Sequence, residues 1–226
     1  MTFDVVGTLI DFEAGILGCV RALAADGPTD QEILEAFAAA EHVAQRTTPE
    51  LPFPAMLDPI GRRLADELHV PALDGALRRS IPDWPAFPDV ADTLRRWRPH
   101  YRLVALTNAD QAAVEAWGPA LGHPFDDVVT VDQVGVNKPD PRMFRVALNR
   151  LADHGIEQDE VLHVAQSQYH DIAAAMELGL RTCWVERRRG QEGTGATPPA
   201  AVTRPDLHVG SLAELDALLD DGRAAG

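Results

Sequence analysis

Apolar residues recur at helical spacing along the first third of the chain. Between residues 11 and 80 no convincing strand pattern occurs. A helix is predicted after an N-cap at Thr29 or Asp30, and one face of it contains Ile33, Leu34, Phe37, Glu41 and Ala44. The same spacing returns at Met56, Leu57, Ile60, Leu64 and Leu68, and a proline-rich stretch at 82–88 then ends the pattern. We therefore expect a helical segment over about 12–88.

After residue 88, short apolar runs alternate with helical patterns. Strands are predicted at 3–6, before the helical segment, and after it at 101–107, 128–131, 161–165, 182–185 and 207–209. Helices are predicted at 89–98, 111–121, 141–154, 172–180 and 212–219. This alternation favours an α/β fold, a doubly wound parallel sheet covered by helices on both faces. The expected domains are a core of 1–11 and 89–226 and an inserted helical cap of 12–88, placed over the carboxyl ends of the strands.

Charge and composition narrow the classes of partner. Of the 226 residues, 35 are acidic and 20 basic, which gives a formal net charge of −15 and argues against nucleic acid or an anionic membrane as partner. The two cysteines, Cys19 and Cys183, form no metal or disulfide pattern. No apolar stretch approaches the length of a membrane span and no signal peptide is evident, so a cytoplasmic location is expected.

Candidate catalytic residues lie at the ends of the predicted strands or in the loops after them. Asp4 can attack an electrophile and form an ester, and the turn at Gly7-Thr8 is expected to aim its N–H groups at that carboxylate. Lys138 is the only lysine of the chain, and it can keep Asp4 ionised and offset the charge of an anionic substrate. Asp171 can orient Lys138 or help activate water, or it can cap the helix that follows it.

Two further polar residues end the strand predicted at 101–107. Thr107 can hydrogen-bond the substrate, and Asn108 can support the substrate or the neighbouring loop.

Four motifs in this order resemble the haloacid dehalogenase-like (HAD) superfamily. They are the segment that begins Phe3-Asp4-Val5-Val6-Gly7-Thr8, then Leu106-Thr107-Asn108, then Lys138-Pro139-Asp140-Pro141, and last Asp171 with the helix after it. The resemblance spans about residues 1–220. It implies a hydrolase with a Rossmann-like core, a cap, and Asp4 as nucleophile.

Two departures from the superfamily pattern point to one branch. Most members are phosphatases with a second aspartate two residues after the nucleophile and a Mg²⁺-binding acid in the fourth motif, whereas this chain has Val6 and Ser167. A halide leaving group needs no proton, and a monoanionic substrate needs no divalent metal. The resemblance therefore implies the 2-haloacid dehalogenase branch, without cofactor or metal, and with Thr8, Asn108, Ser167 and Gln168 as substrate-binding or water-positioning residues.

Other departures separate the chain from a plain haloacid dehalogenase. That branch has a halide-binding arginine early in the cap, where an ungapped match puts Glu35; Arg46 is a second candidate for the role. A glutamate facing the site would favour a cationic or neutral group over a carboxylate. Phe144 stands at a tyrosine position of the branch, and His170 is either a base for ester hydrolysis or a loop residue.

The expected function is hydrolysis of a small 2-substituted, for example 2-halo, carboxylic acid through an ester on Asp4. The alternatives are a hydrolase of the same branch that cleaves a C–N or other non-halide bond, a diverged phosphatase, and a binding relative without catalysis. The partner is a small molecule. A homodimer is also expected, with the Ala-rich stretch 36–40 as a candidate surface.

Overall fold

A computed structural model describes residues 1–48, 51–73, 75–193, 195–197 and 200–224. Six parallel strands form one sheet in the order β3-β2-β1-β4-β5-β6. The strands are β1 (Thr2–Phe3), β2 (Val104–Thr107), β3 (Asp127–Thr130), β4 (Leu162–Ala165), β5 (Arg181–Val185) and β6 (Leu207–Val209). The predicted parallel α/β sheet is thus confirmed, with β1 at its centre between β2 and β4.

Helices cover both faces of this sheet. They are α5 (Val90–Trp97), α6 (Gln111–Leu121), α7 (Val131–Val134), α8 (Pro141–Ala152), α9 (Ala173–Glu177) and α10 (Leu212–Ala224). Aromatic rings contact one another in two of the buried clusters between sheet and helices. Phe3 stacks on Trp97 with ring centroids 6.0 Å apart, and Phe144 meets His163 edge-on with ring centroids 5.3 Å apart. A π-helical turn, Gln168–Ile172, precedes α9.

The segment between β1 and α5 consists mainly of helices joined by turns, and its described residues add only isolated β-bridges, Val6 to Ile10 and Ile10 to Ala86. It contains α1 (Phe12–Leu23), α2 (Asp30–Thr47), α3 (Phe53–Leu68) and α4 (Ala76–Ser80). The predicted N-cap of α2 is Thr29, which forms a reciprocal capping box with Glu32. The apolar faces of α2 and α3 pack together, and their buried residues join the core cluster that includes Phe3 and Leu9.

Two details differ from the sequence prediction. The strand predicted at 3–6 pairs as a regular ladder only over Thr2–Phe3, although Asp4 N–H still donates to Val164 O at 3.1 Å. Beyond this point Val5 O accepts hydrogen bonds from Leu9 and Ile10, so the chain turns away. Val131 was predicted to end a strand and instead begins α7.

Most of the Ala-rich stretch expected at a dimer surface is buried in the monomer, and Ala39 is its one exposed residue. Ala36, Ala38 and Ala40 are 4%, 6% and 3% exposed. These side chains therefore pack within the chain and offer no dimer surface; the homodimer itself stays a prediction.

No helix in the described part of the chain is both long and apolar enough to cross a membrane.

The contact between α1 and Trp84 fixes where the cap segment returns to the core. A β-carbon added at Gly15 would lie within 2.6 Å of three ring atoms of Trp84, whereas one added at Gly18 would meet nothing within 4 Å. We expect Gly15→Ala to lower the free energy of unfolding by about 1–3 kcal/mol through overpacking. Gly18→Ala on the same helix should raise it by about 0.5–1 kcal/mol. Urea unfolding of both variants checks this; equal effects would mean that Trp84 can move aside.

Candidate active site

Asp4 lies at the carboxyl end of the central strand, and its carboxylate is held from two sides. Thr8 Oγ1 donates to Asp4 Oδ2 at 2.6 Å and Lys138 Nζ donates to Asp4 Oδ1 at 2.8 Å. The expectation about the turn N–H groups is wrong, because Gly7 N–H donates to Ile10 O and Thr8 N–H to Val5 O. The turn therefore positions Asp4 through the Thr8 hydroxyl. Thr8 contacts the carboxylate and is not among the residues lining the cavity around it.

Lys138 has three acceptors for its three protons. Its ammonium donates to Asp4 Oδ1 at 2.8 Å, to Leu106 O at 2.8 Å and to Asp171 Oδ1 at 2.7 Å. The side chain is 1% exposed. Because an ammonium has three donors, Lys138 can donate to a substrate only by giving up one of these bonds.

Asp171 receives a second donor that the sequence analysis did not identify. His163 Nε2 lies 3.0 Å from Asp171 Oδ1, and His163 Nδ1 lies 2.9 Å from Thr2 Oγ1. An ionised carboxylate only accepts, so His163 Nε2 carries a proton and donates it to Asp171 in this hydrogen bond. The alternation of side chains along β4 turns His163 towards the helical turn that bears Asp171. In the sequence, a histidine inside an apolar strand was the feature that could have identified this contact.

Burial and charge act in opposite directions on the two carboxyl groups. Burial raises the pKa of Asp4 above its ordinary value, and Lys138 and Thr8 offset only part of that rise. Burial also opposes ionisation of Asp171, but the charge of Lys138 and the hydrogen bond from His163 lower the pKa of Asp171 to about 2. Burial would lower the pKa of Lys138, yet the two carboxylates raise it. Asp171 and Lys138 therefore form a permanent ion pair beside a nucleophile that is easier to protonate.

The loop that carries Lys138 is fastened to the end of β2. Asn108 Oδ1 accepts from Lys138 N–H at 2.6 Å and Asn108 Nδ2 donates to Lys138 O at 3.1 Å. Thr107 is buried and its hydroxyl accepts from Ala109 N–H at 3.1 Å. Both residues also line the cavity around Asp4.

Asp4 lies in a small inner cavity that continues into a wider cleft. The inner cavity has a volume of about 50 Å³ and the cleft between cap and core about 380 Å³. Glu41, Phe53, Asn108, Lys138 and His170 line both. A substrate would thus place a small reacting end against Asp4 and the rest in the cleft.

The cap contributes a buried acid to this cavity, and it is Glu41. Glu35, the residue that the ungapped match placed at the site, is exposed and accepts from Gln31, and Arg46 is exposed and outside the cavity lining. Glu41 is 5% exposed. Burial raises the pKa of Glu41 to about 8, and the hydrogen bond from Gln45 offsets little of that. In the sequence, the position of this glutamate on the apolar face of α2 was the feature that could have identified it as a site residue.

A hydrogen-bonded chain connects this acid to the fourth motif. Gln45 Nε2 donates to Glu41 Oε1 at 3.1 Å and lies 2.9 Å from His170 Nε2. His170 Nδ1 lies 3.2 Å from Ser167 Oγ, which also accepts from the His170 backbone N–H at 2.9 Å. Burial lowers the pKa of His170 to about 4, so the ring is neutral at pH 7, and Gln45 and Ser167 already engage both of its ring nitrogens.

Gln168 does not reach the cavity. Its Oε1 accepts from Thr203 N–H at 2.9 Å, and its side chain is absent from the lining of the inner cavity. The π-helical turn explains this, because Ile172 N–H bonds to Ser167 O five residues back and the turn holds one residue more than an α-helical turn. Gln166 and Ser167 line the cavity instead.

The Mg²⁺ ion that phosphatases of this superfamily use does not fit these residues. The Lys138 ammonium already lies 2.8 Å from Asp4 and 2.7 Å from Asp171, and its charge would repel a cation beside the nucleophile. Mg²⁺ is usually held by one or two carboxylates, and at the fourth-motif position Ser167 supplies a hydroxyl. Among the described residues no group of three or more His, Cys, Asp or Glu could hold a metal ion.

Curated relatives include both phosphatases and dehalogenases. The chain is 33% identical to a phosphoserine phosphatase of Thermus thermophilus over 58% of its length and 50% of the relative's. It is 32% identical to (S)-2-haloacid dehalogenase 4A of Burkholderia cepacia over 59% of its length and 55% of the relative's. The chain thus spans about half the length of these relatives.

Solved structures match almost the whole chain. An L-2-haloacid dehalogenase structure superimposes with a TM-score of 0.75 at 26% identity, covering 96% of this chain and 97% of the other. The L-2-haloacid dehalogenase of Xanthobacter autotrophicus with chloropropionic acid covalently bound shares the fold, with a TM-score of 0.72 at 20% identity over 97% of each chain. A family model described as haloacid dehalogenase-like hydrolase matches residues 1–179. The chain belongs to the haloacid dehalogenase-like hydrolases.

Proposed function

We propose that this hydrolase cleaves a bond between carbon and a weakly basic leaving group, as in a 2-halo carboxylic acid, through an ester on Asp4 and without a metal ion. The observation that carries the proposal is Val6, which lines the inner cavity beside Asp4 where the phosphatases of the superfamily have their proton donor. A leaving alkoxide needs that proton and a halide does not.

The charge balance of the inner cavity supports the same proposal. Among the described residues that line the cavity Lys138 is the only cation, and Asp4 and Asp171 already neutralise it. A phosphate dianion would meet a surplus of negative charge there, whereas a monoanion with a neutral carbon electrophile meets less repulsion.

In the first half-reaction, a carboxylate oxygen of Asp4 attacks the substituted carbon. The new C–O bond forms as the bond to the leaving group breaks, and the leaving group departs with the electron pair. The other carboxylate oxygen keeps its hydrogen bond to Thr8 or Lys138, so Asp4 stays in place.

In the second half-reaction, water attacks Cγ of the Asp4 ester. Asp171 Oδ2 is buried, lines the cavity and has no partner among the described residues, so it can accept the proton of this water. The tetrahedral intermediate expels the product alkoxide, which takes that proton back. The product is a 2-hydroxy acid, the new Asp4 carboxyl releases a proton, and the carboxylate now contains one oxygen from water.

An isotope experiment tests the ester. In a single turnover with 2-chloropropionate in ¹⁸O-water, the first lactate formed should carry no ¹⁸O, because its new oxygen comes from Asp4; label should enter in later turnovers. Asp4→Asn should release no chloride and keep the fold, measured by circular dichroism. Label in the first product would mean direct attack by water and would contradict the proposal.

A screen of product release separates the competing leaving groups. Release of chloride, ammonia and phosphate is measured from small 2-substituted acids, amino acids and phosphate esters. Each substrate is assayed twice, once in excess EDTA and once with millimolar Mg²⁺. Chloride release unchanged by EDTA supports the proposal. Phosphate release that requires Mg²⁺ would instead favour a phosphatase, the activity for which the Thermus thermophilus relative is named.

A further inference from the structure

The acid that α2 places in the cavity has no cationic partner. Gln45 donates to Glu41 Oε1, and Glu41 Oε2 has no partner among the described residues. Around it, α1 and α3 contribute the apolar Phe12, Phe53 and Met56 to the cavity and cleft. A carboxylate removed from water without a compensating cation takes up a proton in preference to staying charged.

The charged and titratable groups that face Glu41 do not supply that cation. In the inner cavity they are Asp4, Lys138, His170 and Asp171, and in the outer cleft Asp140, Arg142 and the phenol of Tyr169. Lys138 has its three protons bound, His170 is neutral at pH 7, and Arg142 forms a bidentate pair with Asp140.

The hydrogen-bonded chain from Glu41 fixes which groups donate. The Gln45 amide has two protons, one for Glu41 Oε1 and one for His170 Nε2, so the neutral ring carries its own proton on Nδ1. That proton goes to Ser167 Oγ, which then accepts twice and has its hydroxyl proton left to donate. The cavity therefore presents two neutral O–H donors, Ser167 and protonated Glu41.

We propose that Glu41 is a neutral carboxylic acid that donates a hydrogen bond to the carboxylate of the substrate, in place of a cationic side chain. The proposal rests on the function proposed above and concerns the same site. It removes the conflict between a cap glutamate and an anionic substrate, because a protonated glutamate does not repel a carboxylate. Glu41 is then a specificity residue, and its donor distinguishes a carboxylate from an amide or ester of the same shape.

Binding of isobutyrate, a carboxylate with no leaving group, tests the proposal without any turnover. Isothermal titration calorimetry of the wild-type protein should give a dissociation constant that rises about tenfold per pH unit above pH 8, as Glu41 loses its proton. Glu41→Gln keeps a neutral N–H donor, so its affinity should stay within about threefold of wild type at pH 7 and should not fall above pH 8. Glu41→Leu has no donor and should bind at least about tenfold more weakly than wild type at pH 7, with no further loss above pH 8. The exposed Glu35→Gln should behave as wild type.

The outcomes separate this proposal from the function on which it rests. Parallel pH dependence in wild type and Glu41→Gln, or no binding of isobutyrate, overturns the role of Glu41 even if the isotope test finds an ester. The Glu41 pattern without any ester supports the anion site and contradicts only the reaction. The kinetic constants add one further outcome. A loss of more than about a hundredfold in kcat for Glu41→Gln, with KM unchanged, would assign Glu41 to proton transfer and overturn the binding role.

Discussion

Replacing Lys138 by methionine is expected to lower kcat by at least about a hundredfold and to destabilise the fold by about 3–5 kcal/mol at pH 7. Methionine has a similar length and no charge. Without the ammonium, Asp4 and Asp171 would be two buried carboxyl groups with no compensating cation, although both lie at present within 2.8 Å of Lys138 Nζ. The pKa of Asp4, already raised by burial, would rise further and leave the nucleophile protonated.

The pH dependence of this variant identifies the cause of its loss. Because the unpaired carboxyl groups can take up protons, the destabilisation should shrink between pH 7 and pH 5. Chemical unfolding at both pH values and turnover at pH 7 give the two quantities. In the double variant Lys138→Met/Asp171→Asn one unpaired charge is removed, so stability should recover in part while activity stays low.

A surface pair provides the matched control. Arg142 donates to Asp140 at the mouth of the cleft, where the arginine side chain is 61% exposed. Arg142→Ala should change stability by no more than about 0.5–1 kcal/mol, because solvent screens such pairs. If Lys138→Met proved as stable and as active as Arg142→Ala, the buried charge cluster would have no part in folding or catalysis.

The sequence contained enough to place four of these residues together. Asp4, Thr107, Lys138 and Asp171 each lie in the last part of a predicted strand or in the loop after one, and parallel strands bring their carboxyl ends to one edge of a sheet. This inference needs only the strand pattern and the sense of the strands. It did not depend on the exact ends of the strands, so it remained correct although β1 has only two residues.

Residues positioned by packing over long distances could not be predicted in the same way. The rotation and register of α2 on the core decide which of its acids faces Asp4, and an ungapped match misplaced that position by selecting exposed Glu35 instead of Glu41. The π-helical turn is likewise invisible to a pattern with a period of 3.6 residues, and it directs Gln168 towards Thr203.

Glu41→Gln should make the protein more stable above pH 8 and leave its stability nearly unchanged at pH 4. Burial raises the pKa of Glu41 from 4.5 to about 8 in the folded chain. A carboxyl group whose pKa is higher in the folded chain than in the unfolded chain lowers stability at any pH where the unfolded chain ionises it. The folded chain then has either to keep the proton or to bear a buried charge. The penalty therefore appears as pH rises past about 4.5 and is complete above about 8, where it amounts to roughly 3–6 kcal/mol.

Unfolding free energies of wild type and Glu41→Gln, measured from pH 4 to pH 9, check this expectation. The two curves should coincide at the acid end and separate steadily up to pH 8. Glutamine keeps the shape of Glu41 and can still accept from Gln45, so packing changes little. The exposed Glu35→Gln should follow wild type throughout, and a constant difference between wild type and Glu41→Gln would show that the pKa of Glu41 does not change on folding.

Saturating isobutyrate adds a linked result. A ligand carboxylate that accepts the Glu41 proton in a hydrogen bond must raise the pKa of Glu41 further, because it binds only the protonated form well. The midpoint of the stability difference between wild type and Glu41→Gln should therefore move to higher pH when isobutyrate is present. If isobutyrate stabilised both proteins equally at every pH, the ligand would bind without contacting Glu41, and the raised pKa would be a property of the buried cap helix alone.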